Sequence, residues 1–186
     1  MPSARRIFFY ALNRVLGSVS NNLAAKSVFL AHGSRPPICQ GKMIVSGFGS
    51  DVTLGDDNRF YEGSVLELGN EGKFQSGHSC MFSYNSVIAC HCEIRLGDNV
   101  LIGENVSIRD SMHDTTADNY RTARDISRPI VIGNNVWIGK GSIVLPGSII
   151  PDNTIVGALS LIKGELKPGY IYGGVPAKVI GSLPGS

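Results

Sequence analysis

Every sixth residue from Ile132 to Ile162 is a β-branched aliphatic: Ile132, Ile138, Val144, Ile150, Val156 and Ile162. Such a fixed short period dictates a whole architecture, so it outranks any local signal. The residues that follow are mostly small or turn-forming (Gly133, Gly139, Leu145, Pro151, Gly157, Lys163), and Ser142, Ser148, Thr154 and Ser160 recur four places after an aliphatic. An amphipathic α-helix would repeat its apolar positions at three and four, and a hairpin meander would vary its turns. A period of six instead predicts short parallel strands stacked in coils about 4.8 Å apart, each aliphatic pointing into a narrow core.

The same phase holds at Leu54, Phe60 and Leu66, and again at Leu96, Ile102 and Ile108, where LGDNVLIGENVSI repeats aliphatic-Gly-acid-Asn. Between Ser64 and Cys92 it blurs, because Leu68-Gly69 and Phe74 suggest a shift by two positions. From Ile108 to Ile130 it stops, and RDSMHDTTADNYRTARDISRP replaces aliphatics with charge and turn formers. Ile108 and Ile132 are four full repeats apart, so the phase resumes intact. A polar interruption of a regular solenoid reads as a loop thrown outward, and such loops carry function. The chain therefore divides into an N-terminal extension over 1–43, a β-helix over 44–166 with an extruded loop at about 109–129, and a tail over 167–186. Residues 4 to 30 have apolar residues at mixed helical spacing and suit a helical cap on the first coil. Their basic residues and Phe8, Phe9 and Tyr10 would also suit an amphipathic segment lying on an anionic membrane.

Composition narrows the function. The 186 residues allow one domain, and 23 glycines with only 17% charged residues fit a turn-rich β architecture. A net charge of +2 with no basic stripe excludes nucleic acid as an expected partner. Cys39, Cys80, Cys90 and Cys92 lack zinc-site spacing and do not form a disulfide framework, which predicts buried thiols in a reducing, cytoplasmic compartment.

The ordered run IVIGNNVWIGKGSIVLPGSIIPDNTIVGALSLIKGEL, followed by GGVPAKVI, resembles the hexapeptide-repeat acyltransferases. Within them it is most similar to the branch of galactoside, maltose, serine and xenobiotic O-acetyltransferases. The resemblance covers roughly residues 44 to 180. It implies an all-β, left-handed parallel β-helix, a homotrimer, acetyl-CoA as co-substrate, no metal, and a hydroxyl-bearing acceptor. A sugar of a polysaccharide or glycoconjugate is the expected acceptor. The left hand breaks the usual right-handed crossover rule.

His113 lies where related enzymes place their catalytic histidine, at the exit from a coil and before WIG. A neutral imidazole can take the proton of a hydroxyl attacking a thioester near pH 7. The adjacent Asp114 is expected to orient it, with Asp110 as runner-up. Asn85 falls near the position of an acceptor-facing asparagine in the galactoside enzymes, and equally suits a coil corner. The resemblance places Trp137, Gly139, Lys140, Ala158, Lys163 and Lys178 along the coenzyme A groove. Small residues would admit pantetheine, and the lysines would meet phosphates. Trp137 would wall the channel or pack at a subunit contact. Leu159 replaces the glycine the family carries after Ala158, and Ile162-Lys163-Gly164 stands for its usual Thr-Lys-Asp.

Three other readings are open to a chain of this kind. A γ-class-like zinc hydratase needs three convergent histidines, to be drawn from His32, His78, His91 and His113. A sugar-nucleotide pyrophosphorylase needs a preceding nucleotide-binding domain, for which there is no room. A non-catalytic binding module needs only a solenoid surface.

Overall fold

The computed structural model describes residues 37–46 and 51–184. Across them the chain has no helix and winds into a parallel β-helix of about six coils. The first face stacks Ile38–Gln40, Arg59–Tyr61, Met81–Phe82, Leu101–Ile102, Trp137–Ile138, Ile155–Val156 and Tyr170–Gly173 in parallel. Lys178–Ser182 closes it antiparallel. The second face stacks Ile44–Ser46, Val65–Leu68, Val87–Cys90, Ser107–Arg109, Ile143–Val144 and Leu161–Ile162. The third stacks Asp51–Leu54, Lys73–Ser76, Glu93–Leu96, Ile130–Ile132 and Ile149–Ile150. Among the described residues, parallel pairing is present from Ile38 and continues through Tyr170–Gly173. The helical cap expected over residues 4 to 30 lies outside the described residues.

The six periodic aliphatics all point inward and are buried. Ile138 sits on Val156, Val144 on Ile162 and Ile132 on Ile150, so three hexapeptides make one circuit. The hydroxyls found four places on fill the corners: Ser142 Oγ and Ser160 Oγ both donate to the carbonyl of Gly157, and Ser148 Oγ donates to that of Leu145. Buried hydroxyls satisfied in this way close the backbone accounting at each turn.

The acid-Asn grammar builds another corner. Asp98 Oδ1 accepts from the His78 amide, Asn134 Oδ1 from the Asp98 amide and Asp152 Oδ1 from the Asn134 amide, at 2.7 to 2.8 Å. The residue after each, Asn99, Asn135 and Asn153, adopts φ between 53 and 56°, the left-handed region that asparagine tolerates. Gly133 precedes this step because a Cβ there would fall 2.2 Å from Asp152 Oδ1.

The blurred stretch has a geometric cause. Phe60 stacks on Phe82, and Phe82 on Ile102, and both of these circuits are longer than three hexapeptides. Strands here run to four residues and turn two side chains inward, Leu66 with Leu68 and Phe74 with Ser76. Aromatic rings fill the wider bore: Phe60 and Phe82 stack at 4.2 Å, and Phe74 meets Phe82 edge-on at 6.2 Å.

Candidate active site

The interruption after Ile108 is a β-hairpin. Ser111–His113 pairs antiparallel with Asp125–Ser127, bringing Met112 opposite Ile126 and His113 opposite Asp125. Asp110 anchors its stem. The Asp110 carboxylate is buried and accepts from the amides of His91, Cys92 and Glu93, each at 2.8 Å. Its carbonyl accepts the Arg128 amide at 2.8 Å, tying the returning strand to the outgoing one. Asp110 is therefore a structural acid whose oxygens are taken by the coil.

Asp114 does not orient His113. Its Oδ1 accepts from the Thr116 hydroxyl at 2.7 Å and the Thr116 amide at 2.9 Å, forming a local turn at the hairpin's end. Those two bonds, the hydroxyl first, hold its carboxyl below the ordinary carboxylate range. The partner of His113 is Asp125, whose Oδ1 lies 2.8 Å from His113 Nδ1. Neighbours in sequence on a strand point to opposite sides, whereas residues paired across a hairpin point to the same side. The His113 side chain is 65% exposed, so the imidazole stays open to solvent while Asp125 lies against one of its nitrogens. Asp125 was within reach of the sequence, since Ser-Met-His and Asp-Ile-Ser place a central apolar residue in two short segments that can pair at that register.

A second imidazole, His91, stands beside the same carboxylate. Its Nδ1 is 4.0 Å from Asp125 Oδ2, and its Nε2 is 3.0 Å from Glu67 Oε1. Arg109 completes the chain, 3.4 Å from Glu67 Oε2. His78 lies elsewhere, with its Nδ1 accepting the Asp56 amide at 2.9 Å. Among the described residues, no three His, Cys, Asp or Glu side chains are arranged to hold a metal ion.

An apolar groove of about 400 Å³ runs along the corner that follows the first face. Trp137, Gly139, Lys140 and Ala158 line it, together with Gly103 and Gly157, so four of the six residues expected at a cofactor are brought together. Close stacking requires the glycines: a Cβ on Gly139 would lie 2.6 Å from the Ala158 nitrogen. The indole of Trp137 is half exposed and forms a wall. Leu159, at φ 56° and largely exposed, follows Ala158 at this corner. Lys163 and Lys178 do not line the groove. Lys163 follows the second-face strand Leu161–Ile162 at another corner, and Lys178 lies opposite Gly173 on the closing strand.

Asn85 occupies a coil corner at φ 56°. Its amide donates to the Glu62 carbonyl at 3.1 Å, and its side chain lies against Gly63, where a Cβ would collide with Asn85 Oδ1. Ser83, just before it, lines the groove instead.

These features define a class: a hexapeptide β-helix with an imidazole-bearing hairpin and a small-residue groove. Residues 129–164 match the family described as bacterial transferase hexapeptide (six repeats). It is 36% identical to the galactoside O-acetyltransferase of Escherichia coli K12 over 104 residues, 56% of this chain and 51% of that protein. The chain thus spans about half the length of that curated relative. Its fold matches the hexapeptide-repeat acetyltransferase of Vibrio cholerae complexed with acetyl coenzyme A, with a TM-score of 0.65, 23% identity, and coverage of 97% and 87% of the two chains. It also matches an N-acyltransferase from Bacillus cereus in complex with dTDP and 3-hydroxybutyryl-CoA, with a TM-score of 0.69, 19% identity and 81% of each chain covered.

Proposed function

We propose that this protein is an acetyl-CoA-dependent O-acetyltransferase in which His113 is the general base. The observation that carries the reading is the 2.8 Å approach of Asp125 to Nδ1 of an exposed imidazole, on a hairpin rooted in the coil. With Nδ1 held by a carboxylate, Nε2 is the nitrogen left to accept a proton, and the imidazolium formed is stabilised by Asp125. In the reaction His113 removes the acceptor's hydroxyl proton as its oxygen bonds to the thioester carbonyl carbon. The C–S bond then breaks and the proton passes to the departing thiolate.

The groove of Trp137, Gly139, Lys140 and Ala158 suits an extended pantetheine chain, because the small residues leave the coil edge open and Trp137 offers an apolar wall. A sugar hydroxyl is the acceptor we favour, in keeping with the galactoside enzyme. Its place is the cytoplasm, where CoA thioesters are made and where the four free cysteines would stay reduced. Assembly as a homotrimer is supported by apolar side chains facing outward on all three faces, Trp137, Ile143 and Ile149 among them. The N-terminal segment would bring the enzyme to substrate at a membrane surface.

The test is release of free thiol from acetyl-CoA by the purified chain against a panel of sugar acceptors. His113→Ala is expected to lower turnover by roughly 10²–10⁴, the usual worth of a general base. Unchanged turnover would remove His113 from the mechanism, and no thiol release with any acceptor would leave a binding module as the better reading.

A further inference from the structure

Asp125 has two oxygens, and only one of them faces His113. The carboxylate stands on a hairpin whose turn is exposed, so a rigid part of the molecule must fix it if its Oδ1 is to stay on His113 Nδ1. His91 stands beside the other oxygen, its Nδ1 4.0 Å from Asp125 Oδ2. It belongs to the coil and not to the hairpin. Its amide is held by Asp110 Oδ1 at 2.8 Å, and its ring rests over Gly69, where a Cβ would come within 3.1 Å of His91 Cγ. The ring is 26% exposed against 65% for His113.

Glu67 holds the ring from the side away from Asp125, and Arg109 holds Glu67 in turn. The two residues occupy one column of the second face, with Ala89 between them on the intervening strand. The small Ala89 side chain is fully buried, and it lets the Glu67 carboxylate reach Arg109 across two rungs at 3.4 Å while presenting its other oxygen to His91 at 3.0 Å. A larger side chain at Ala89 would part them. Arg109 is also the last coil residue before the stem acid Asp110, so the same chain of contacts ends where the hairpin begins.

We propose that His91 is a positioning residue: held by Glu67, which Arg109 engages in turn, it steers the far oxygen of Asp125 across 4.0 Å by electrostatic attraction so that the near one holds His113 in its reactive orientation. The inference rests on the reading of His113 as the base. Groups that orient a reacting side chain through an intermediary matter because small errors in aim are costly in rate.

A double-mutant cycle tests it, read as thiol release from acetyl-CoA. His91→Ala is expected to lower kcat by about 10-fold, at the low end for loss of an outer positioning group, with KM for acetyl-CoA unchanged. In an Asp125→Ala background the same substitution is expected to add less than about two-fold, because its route to His113 is already gone. An equal loss in both backgrounds, or no loss in either, overturns the proposal. Glu67→Gln carries the same cycle if His91→Ala does not fold, as judged by its thermal transition.

Imidazole nitrogen NMR separates this inference from the acetyltransferase reading. In the wild type, His113 is expected to hold its proton on Nδ1, and in His91→Ala its two tautomers are expected to mix. Unchanged His113 signals in the variant sink the positioning role even if turnover is never seen. Absence of turnover with shifted signals sinks the activity alone.

Discussion

The coils below the hairpin and those above it solve the same packing problem differently. Above, from Ile130 to Ile162, each circuit takes three hexapeptides, strands are two or three residues long, and β-branched aliphatics fill the bore. Below, the circuits are longer, strands run to four residues, and Phe60, Phe74 and Phe82 are needed to fill a wider interior. The upper coils satisfy their corner hydroxyls, whereas below the buried Ser76 and Ser86 hydroxyls meet no hydrogen-bond partner among the described residues. The regular part supplies most of the groove, with Ser83 and Gly103 added from below, and the irregular part supplies Glu67 and His91. Widening a coil displaces the side chains that follow it, which is how two acid-base groups come to lie under the hairpin without breaking the stack.

If the aromatic plug holds the wide coils open, Phe82→Ala should be the most damaging core change. It removes a ring that touches both Phe60 and Phe74, and should cost about 3–5 kcal/mol in denaturant unfolding. A cost under about 1 kcal/mol would mean the lower coils collapse freely, and the contrast with the upper ones would fall.

The fold was readable wherever one residue in six decides it, and unreadable where the circuit lengthens. Leu68 and Ser76 occupy inward positions that a strict period assigns to nothing, so Phe74 looks out of phase when it is the next inward residue of a longer path. At the site, position points to His113 as a candidate and adjacency points to Asp114, whereas the structure sets Asp125 against the imidazole. Asp114 is next in sequence, but only the hairpin register reveals Asp125. His91 and Glu67 belong to coils where the period is blurred, and their convergence depends on vertical stacking that no linear spacing displays. Trp137, Gly139 and Ala158 line one groove because they sit where the period is strict and stack directly from coil to coil.

The thiols sharpen the contrast, because all four lie below the hairpin. Burial pushes Cys80 up to about 11 and Cys90 up to about 12, the latter helped by the Asp110 charge. Neither should react with a thiol reagent at about pH 8 until the protein unfolds. The unfolded chain loses these protons first, near 9, so their contribution to stability is intact below that pH and is lost as pH rises towards 12. Rapid native-state labelling of Cys90 would show that the lower coils open on their own.

In the upper coils, Ile150→Val should cost only about 0.5–1.5 kcal/mol, as one methylene is removed from a bore already filled by β-branched residues. A loss as large as that at Phe82 would put the two halves on the same footing.

The smallest expected effect is the most discriminating for the site. Asp114→Asn keeps the acceptor oxygen that Thr116 uses and removes only a charge at the hairpin's exposed end. Turnover should stay within about two-fold, the range of a surface change away from the reacting groups. Asp125→Asn, by contrast, offers His113 Nδ1 an amide in place of a carboxylate, and it should lower kcat well beyond that range because the imidazolium loses its counter-charge. The two variants differ by the same atoms and lie on the same hairpin, so only the cross-strand register separates them. Equal effects would mean that the hairpin takes a different pairing when substrate is bound, and the choice of Asp125 over Asp114 would be undone.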